Sequence, residues 1–250
     1  MRTLPETDQI VASVVEVFSA ARSVAGEAIL GALVPHQESP LRMVSLIPEF
    51  EMDELCRFVN QFRSYIEPRP ERARENARCK VLIYCHIMEA EFPATVILNL
   101  LRLVNGDGPL WTFRELPRTR YGKISKLSDA HKLSVGAVLD SLWYNKLRNA
   151  FSHAQYLLHD DGCLLGTRKL SPVTANAVRP PSDLPQEGGE NPYFFPPDEV
   201  DGLFTGVLAY LKVFIETYKS GVASFKDGNW HDIPTGPIRW DSKCGWWSVT

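Results

Sequence analysis

The sequence has no CxxC pair, no HExxH, no clustered histidines and cysteines, and no two aspartates in a DxD arrangement. It therefore offers no recognisable ligand set for a structural zinc or a catalytic divalent ion. Its five cysteines, at 56, 79, 85, 163 and 244, are odd in number and irregular in spacing. That disfavours a disulfide framework and fits a reducing compartment. Neither sign of charge dominates. Lys and Arg number 27 against 30 Asp and Glu, a net charge of −3, which excludes a histone-like polycation but leaves room for a local basic patch. Long apolar runs are missing too. The stretch from Ile10 to Val34 is interrupted by Glu16, Arg22 and Glu27, is too polar to span a bilayer, and lacks the basic start and small-residue cleavage site of a signal peptide. A cytoplasmic protein without membrane association is the expectation. What is present is ordinary: 250 residues, 44% hydrophobic and 23% charged, enough to bury a core and too apolar for global disorder.

The apolar periodicity is mostly helical. Ile10, Val14, Val17, Phe18, Ala21, Val24, Ala25 and Ala28 recur at three- and four-residue steps, with Thr7 as N-cap. A second helix is expected over about 51–66, with Leu55, Phe58, Val59, Phe62 and Tyr65 on one face and Pro68 and Pro70 beyond it. A longer pattern over 71–104 should kink at Pro93 and stop at Asn105-Gly106. Residues 105–132 read as a connection without a strong period. A fourth helix is expected over about 134–152, because Val135, Leu139, Trp143, Leu147 and Phe151 are spaced by four. Two short apolar runs about Asp161-Gly162 predict a hairpin. Residues 171–197 hold seven of the 18 prolines together with Gly188 and Gly189, the composition of a mobile loop. A last helix opens at Pro197-Asp198-Glu199 and runs through Tyr218. The tail over 226–250 holds Trp230, Trp240, Trp246 and Trp247 and has no helical period. The division expected is one helical domain over 1–225, loop included, followed by the tail.

The segment Leu147-Arg148-Asn149-Ala150-Phe151-Ser152-His153 concentrates the chemistry. RNA carries its own nucleophile, the 2′-hydroxyl beside the phosphate. Its cleavage needs only a group that moves protons and a cation that stabilises the charged phosphorane. Histidine suits the first task. Arginine's planar fork suits the second. Neither task requires a metal or other cofactor. Five helical residues subtend about 140° around the axis, so Arg148 and His153 cannot share a face of a regular helix. Arg148 with Ser152, and Asn149 with His153, can. For Arg148 and His153 to serve one ligand, either the helix ends near His153 or the site forms between two chains. The plainer reading is a cationic helix C-terminus that caps its own dipole.

Arg148-Asn149-Ala150-Phe151-Ser152-His153 resembles the Arg-x4–6-His motif of HEPN (higher eukaryotes and prokaryotes nucleotide-binding) domains. The resemblance implies an all-α bundle of HEPN type, with the small hairpin after the motif helix and the non-helical tail as additions. It implies a metal-independent endoribonuclease that acts as a homodimer on RNA, the two motifs facing each other across a shared cleft. Many such proteins serve toxin–antitoxin, abortive-infection or other antiviral systems, so an antitoxin or partner protein is a further expectation. In this reading Arg148 stabilises phosphate charge, His153 transfers protons, and Asn149 and Ser152 orient the phosphate or the histidine. Tyr84-Cys85-His86-Ile87-Met88-Glu89 resembles the second core helix of some members, where a polar side chain reaches towards the site. The alternatives are a non-catalytic HEPN-type dimerisation or nucleotide-binding module, and a helical adaptor that docks through its tail.

Charge placement offers candidate RNA contacts. Between Trp111 and Lys132 lie six cations, among them Arg118, Arg120, Lys123 and Lys126, against the two acids Glu115 and Asp129. With Trp111 and Tyr121 interleaved, such a stretch can grip a phosphate backbone and stack on bases, or it can be a solvated loop. His86 and Glu89, about 60° apart on a helix, can share a face; Glu89 is a further candidate RNA contact, and the plainer reading is an ordinary exposed or capped polar pair. His159, beside the hairpin turn, is expected to face solvent, and Cys56, Cys79 and Cys85 to be small core residues.

Overall fold

The computed structural model describes residues 3–33, 47–67, 69–110, 116–159, 162–165, 194–226, 238–241 and 246–249. Helices dominate them: α1 (Thr7–Ala25), the short α2 (Leu30–Leu33), α3 (Ile47–Arg63), α4 (Ala73–Glu89), α5 (Glu91–Val104), α6 (Pro117–Ala130), α7 (Val135–Leu142), α8 (Asn145–Ser152) and α9 (Pro197–Lys226). After α8, strands β1 (Tyr156–His159) and β2 (Gly162–Leu165) pair antiparallel, as the hairpin expectation has it, and β3 (Phe194–Phe195) adds to the other edge of β2. In the tail, β4 (Ile238–Asp241) and β5 (Trp246–Val249) pair antiparallel.

The core is one apolar cluster drawn from Ile10 to Tyr218. Helix α1 buries Ile10, Val14, Val17, Phe18 and Ala21, the stripe its spacing predicts, and packs on α5, α7 and α9. Helix α5 is the centre of the bundle, buried on almost every face from Phe92 to Leu103. Phe92 meets Phe214 and Tyr218 of α9 edge-on, with ring centroids 6.1 and 5.3 Å apart, and Phe18 meets Phe214 in the same manner. No single helix among the described residues is long and apolar enough to cross a membrane.

Several local expectations need correction. The N-cap of α1 is Glu6, not Thr7, and it forms a capping box with Gln9. The 71–104 pattern divides at Ala90, whose extended backbone bends α5 away from α4 by 41°, and Pro93 lies inside the first turn of α5, where its missing N–H costs nothing. Residues 117–130, expected as part of a connection, are the helix α6. Pro117 starts it, but its buried positions are Arg120, Tyr121, Ile124 and Ser128, so half of its inward face is polar and the apolar period disappears. The helix expected over 134–152 is two. Trp143 and Tyr144 are extended between α7 and α8. The Tyr84 hydroxyl bridges this break, donating to the Leu142 carbonyl and accepting the Tyr144 N–H, each at 2.8 Å, while Trp143 stacks on Tyr121 with centroids 4.7 Å apart. The loop expected over 171–197 contributes β3 and the first residue of α9 at its end. Its part from 171 to 193 lies outside the described residues, as do Trp111, Arg114, Glu115 and the side chains of His159 and the tail tryptophans.

Candidate functional site

The site grows from the end of α8. This helix rests on α4 and β2, burying Leu147 and Ala150 and leaving Arg148 and Asn149 half-buried. It stops because the chain turns left-handed at Ala154, with φ 51°. The Gln155 N–H donates to the Ala150 carbonyl at 2.7 Å and the Ala154 N–H to that of Phe151 at 3.1 Å, the two bonds of a Schellman closure. His153 is the C-cap, exposed, with its own N–H donating to the Asn149 carbonyl at 3.1 Å. The helix therefore ends at His153, but that N–H still completes the helical ladder, so His153 keeps its angle of about 140° to Arg148.

Arg148 reaches α4. Its Nε donates to Glu89 Oε1, its Nη1 donates to Asn149 Oδ1 at 2.8 Å, and Ser152 Oγ donates to the same Glu89 oxygen at 3.4 Å. Arg148, Asn149, Ser152 and Glu89 thus form one hydrogen-bonded group at the side of the bundle. Glu89 is the last residue of α4, immediately before the bend at Ala90. The ion pair joins two partly exposed side chains, so solvent screens it and a competing anion can reach it.

Next to this group a cavity of about 360 Å³ opens between α3, α4 and the start of α5. Met52, Glu54, Leu55, His86, Glu89 and Glu91 are among its lining residues. The His86 ring lies on Phe58 with centroids 3.9 Å apart and planes 31° from parallel. Burial lowers the His86 pKa from the usual imidazole value, with Glu89 acting in the opposite direction. Burial pushes the neighbouring Cys85 thiol up to about 12, with Glu89 adding to the rise and Arg148 opposing it. Cys85 is accordingly an inert core residue, as is Cys163, pushed up to about 11 by burial, whereas Cys56 and Cys79 are only half-buried.

The candidate RNA contacts on α6 separate. Arg118, Lys123 and Lys126 are exposed. Arg120 is 1% exposed and pairs with Glu91 at 3.2 Å. It is a core cation and is removed from the candidate surface contacts. Glu54 and Glu91, which share the cavity with His86 and Glu89, have no sequence signal. Each is one acid among the charges of its helix, and three separate elements bring them together. Comparison with family models, with curated proteins and with solved structures finds no match to this chain.

Proposed function

We propose that this chain is a metal-independent endoribonuclease of a defence or toxin-type system, acting at a dimer cleft through Arg148 and His153. The observation that carries the reading is the polar group at the end of α8: an arginine tethered by Glu89 and Asn149, with an exposed histidine at the C-cap of the same helix. In the reaction the RNA 2′-oxygen attacks phosphorus as its proton passes to a base. The bond from phosphorus to the 5′-oxygen breaks, that oxygen takes a proton from an acid, and a 2′,3′-cyclic phosphate remains. His153 and the partner's His153 serve as base and acid. Arg148 leaves Glu89 for the phosphate and stabilises the negative charge of the phosphorane. Asn149 keeps a hold on the guanidinium, and Ser152 orients the phosphate. A two-fold dimer supplies two copies of each group to one cleft.

The Glu89–Arg148 pair also favours a second reading. If it stays closed, Arg148 is a pin between α4 and α8 and the chain is a non-catalytic HEPN-type dimerisation or nucleotide-binding module. The two readings part on substitution. A ribonuclease loses cleavage of mixed RNAs by about 100-fold or more in His153→Ala, as proton-transfer groups generally do, and comparably in Arg148→Ala. Equal activity in all three proteins would reject the assignment.

A further inference from the structure

The cavity between α3, α4 and α5 has the size of a small-ligand site and shares a wall with the Arg148 group, because Glu89 lines the one and holds the other. Its surfaces divide by chemistry. Met52, Leu55 and Phe92 supply apolar wall, and His86, backed by Phe58, supplies an aromatic ring. Glu54, Glu89 and Glu91 supply carboxylate oxygens. Three carboxylates repel a phosphate, so the cavity itself is no anion site. Among the described residues no group of three or more His, Cys, Asp or Glu side chains is arranged to hold a metal ion, so these carboxylates are not a metal centre either. What suits an apolar slot with a stacking ring and hydrogen-bond acceptors is a flat heterocycle that carries N–H donors.

We infer that this cavity seats a nucleobase bearing an exocyclic amino group, from the nucleotide next to the phosphate that Arg148 engages. The inference rests on the ribonuclease reading above. Adenine, cytosine and guanine each turn an amino group toward an acceptor, whereas uracil presents one N–H between two carbonyl oxygens, which carboxylates repel. Of the three acids, Glu89 is engaged by Arg148 and Glu91 by the buried Arg120. Among the described residues Glu54 is held by its exposed pair with Arg57 at 3.1 Å, and it is the one of the three most able to turn to a ligand. His86, whose imidazole is biased towards the neutral form by burial, gives the stacking face.

The test is sequencing of product ends from a randomised RNA cut by the wild-type protein and by Glu54→Gln and His86→Ala. Glu54 is exposed on α3, so its substitution leaves the core intact. The expected result is uracil depleted on the order of tenfold at one position flanking the cut, the discrimination a good side-chain–base pair gives. Glu54→Gln, which places an amide N–H where a carboxylate was, should reduce that depletion to about threefold or less, and His86→Ala should weaken it. Cleavage with no bias at either flank, or a bias unchanged in both variants, would overturn the inference and leave the ribonuclease standing. If the wild-type protein cuts no RNA, the ribonuclease reading fails instead. The cavity is then judged by fluorescence anisotropy with 2′-deoxyoligonucleotides that differ only in carrying deoxyadenosine, deoxycytidine, deoxyguanosine or deoxyuridine at one site. Weaker binding of deoxyuridine, relieved by Glu54→Gln, keeps the base pocket, and equal binding of all four removes it.

Discussion

Ala154 occupies a backbone position that penalises a side chain. The same closure ends α5, where Gly106 takes φ 81°, the Gly106 N–H donates to Leu103 and the Asp107 N–H to Arg102. At α8 an alanine does the work of that glycine, beside His153. Ala154→Gly should therefore raise the denaturant midpoint by about 1 kcal/mol of stability, the usual cost of a left-handed non-glycine residue. An unchanged or lower midpoint would deny that the strain is there. His86 gives a pH dependence of definite sign. Its folded-state pKa lies below its unfolded value, so the unfolded chain binds the proton more readily. Its contribution is fully present above the ordinary imidazole value of about 6.5 and is lost as pH falls through that value and then the folded one. Urea midpoints of the wild-type protein should fall relative to His86→Gln between neutral and mildly acidic pH, and a constant difference would contradict the assignment.

The elements differ in how far the sequence declares them, and the difference is physical. The end of α5 and the start of α9 are announced by Asn105-Gly106 and Pro197-Asp198-Glu199, because caps and prolines act within a turn of their own position. Helix α6 is hidden because its inward face spends two of four buried positions on Arg120 and Ser128. The α7–α8 break is hidden because its cause, the Tyr84 hydroxyl, is 60 residues upstream of Tyr144. Tyr84→Phe removes that bridge and leaves the Tyr144 N–H and the Leu142 carbonyl without it. The expected loss is about 1–3 kcal/mol, read from denaturant unfolding. Retention of full stability would mean that the break does not depend on the Tyr84 hydroxyl. The site follows the same rule. Arg148, Asn149 and Ser152, which hydrogen bonds join to Glu89, are legible because they share one short segment, and the helix of Glu89 because a resemblance points to it. Glu54 and Glu91 join them only when α3, α4 and α5 pack.

For the molecule as a whole, one bundle centred on α5 presents a tethered arginine and a histidine cap at one helix end, with an acidic, aromatic-walled cavity alongside. In the proposed function, two such surfaces related by a two-fold axis would offer a phosphate two cations and two proton carriers, where one copy offers one of each. The reading stands on the RNA's own hydroxyl as nucleophile, and this sets the decisive measurement: incubation of the purified protein with mixed RNAs and with the matching DNA in excess EDTA, alongside His153→Ala, with end-group analysis of the products. The account predicts RNA fragments that end in 2′,3′-cyclic phosphate, intact DNA, and little cleavage by the variant. Cleavage that EDTA abolishes and a divalent ion restores, or that proceeds equally without His153, would contradict it.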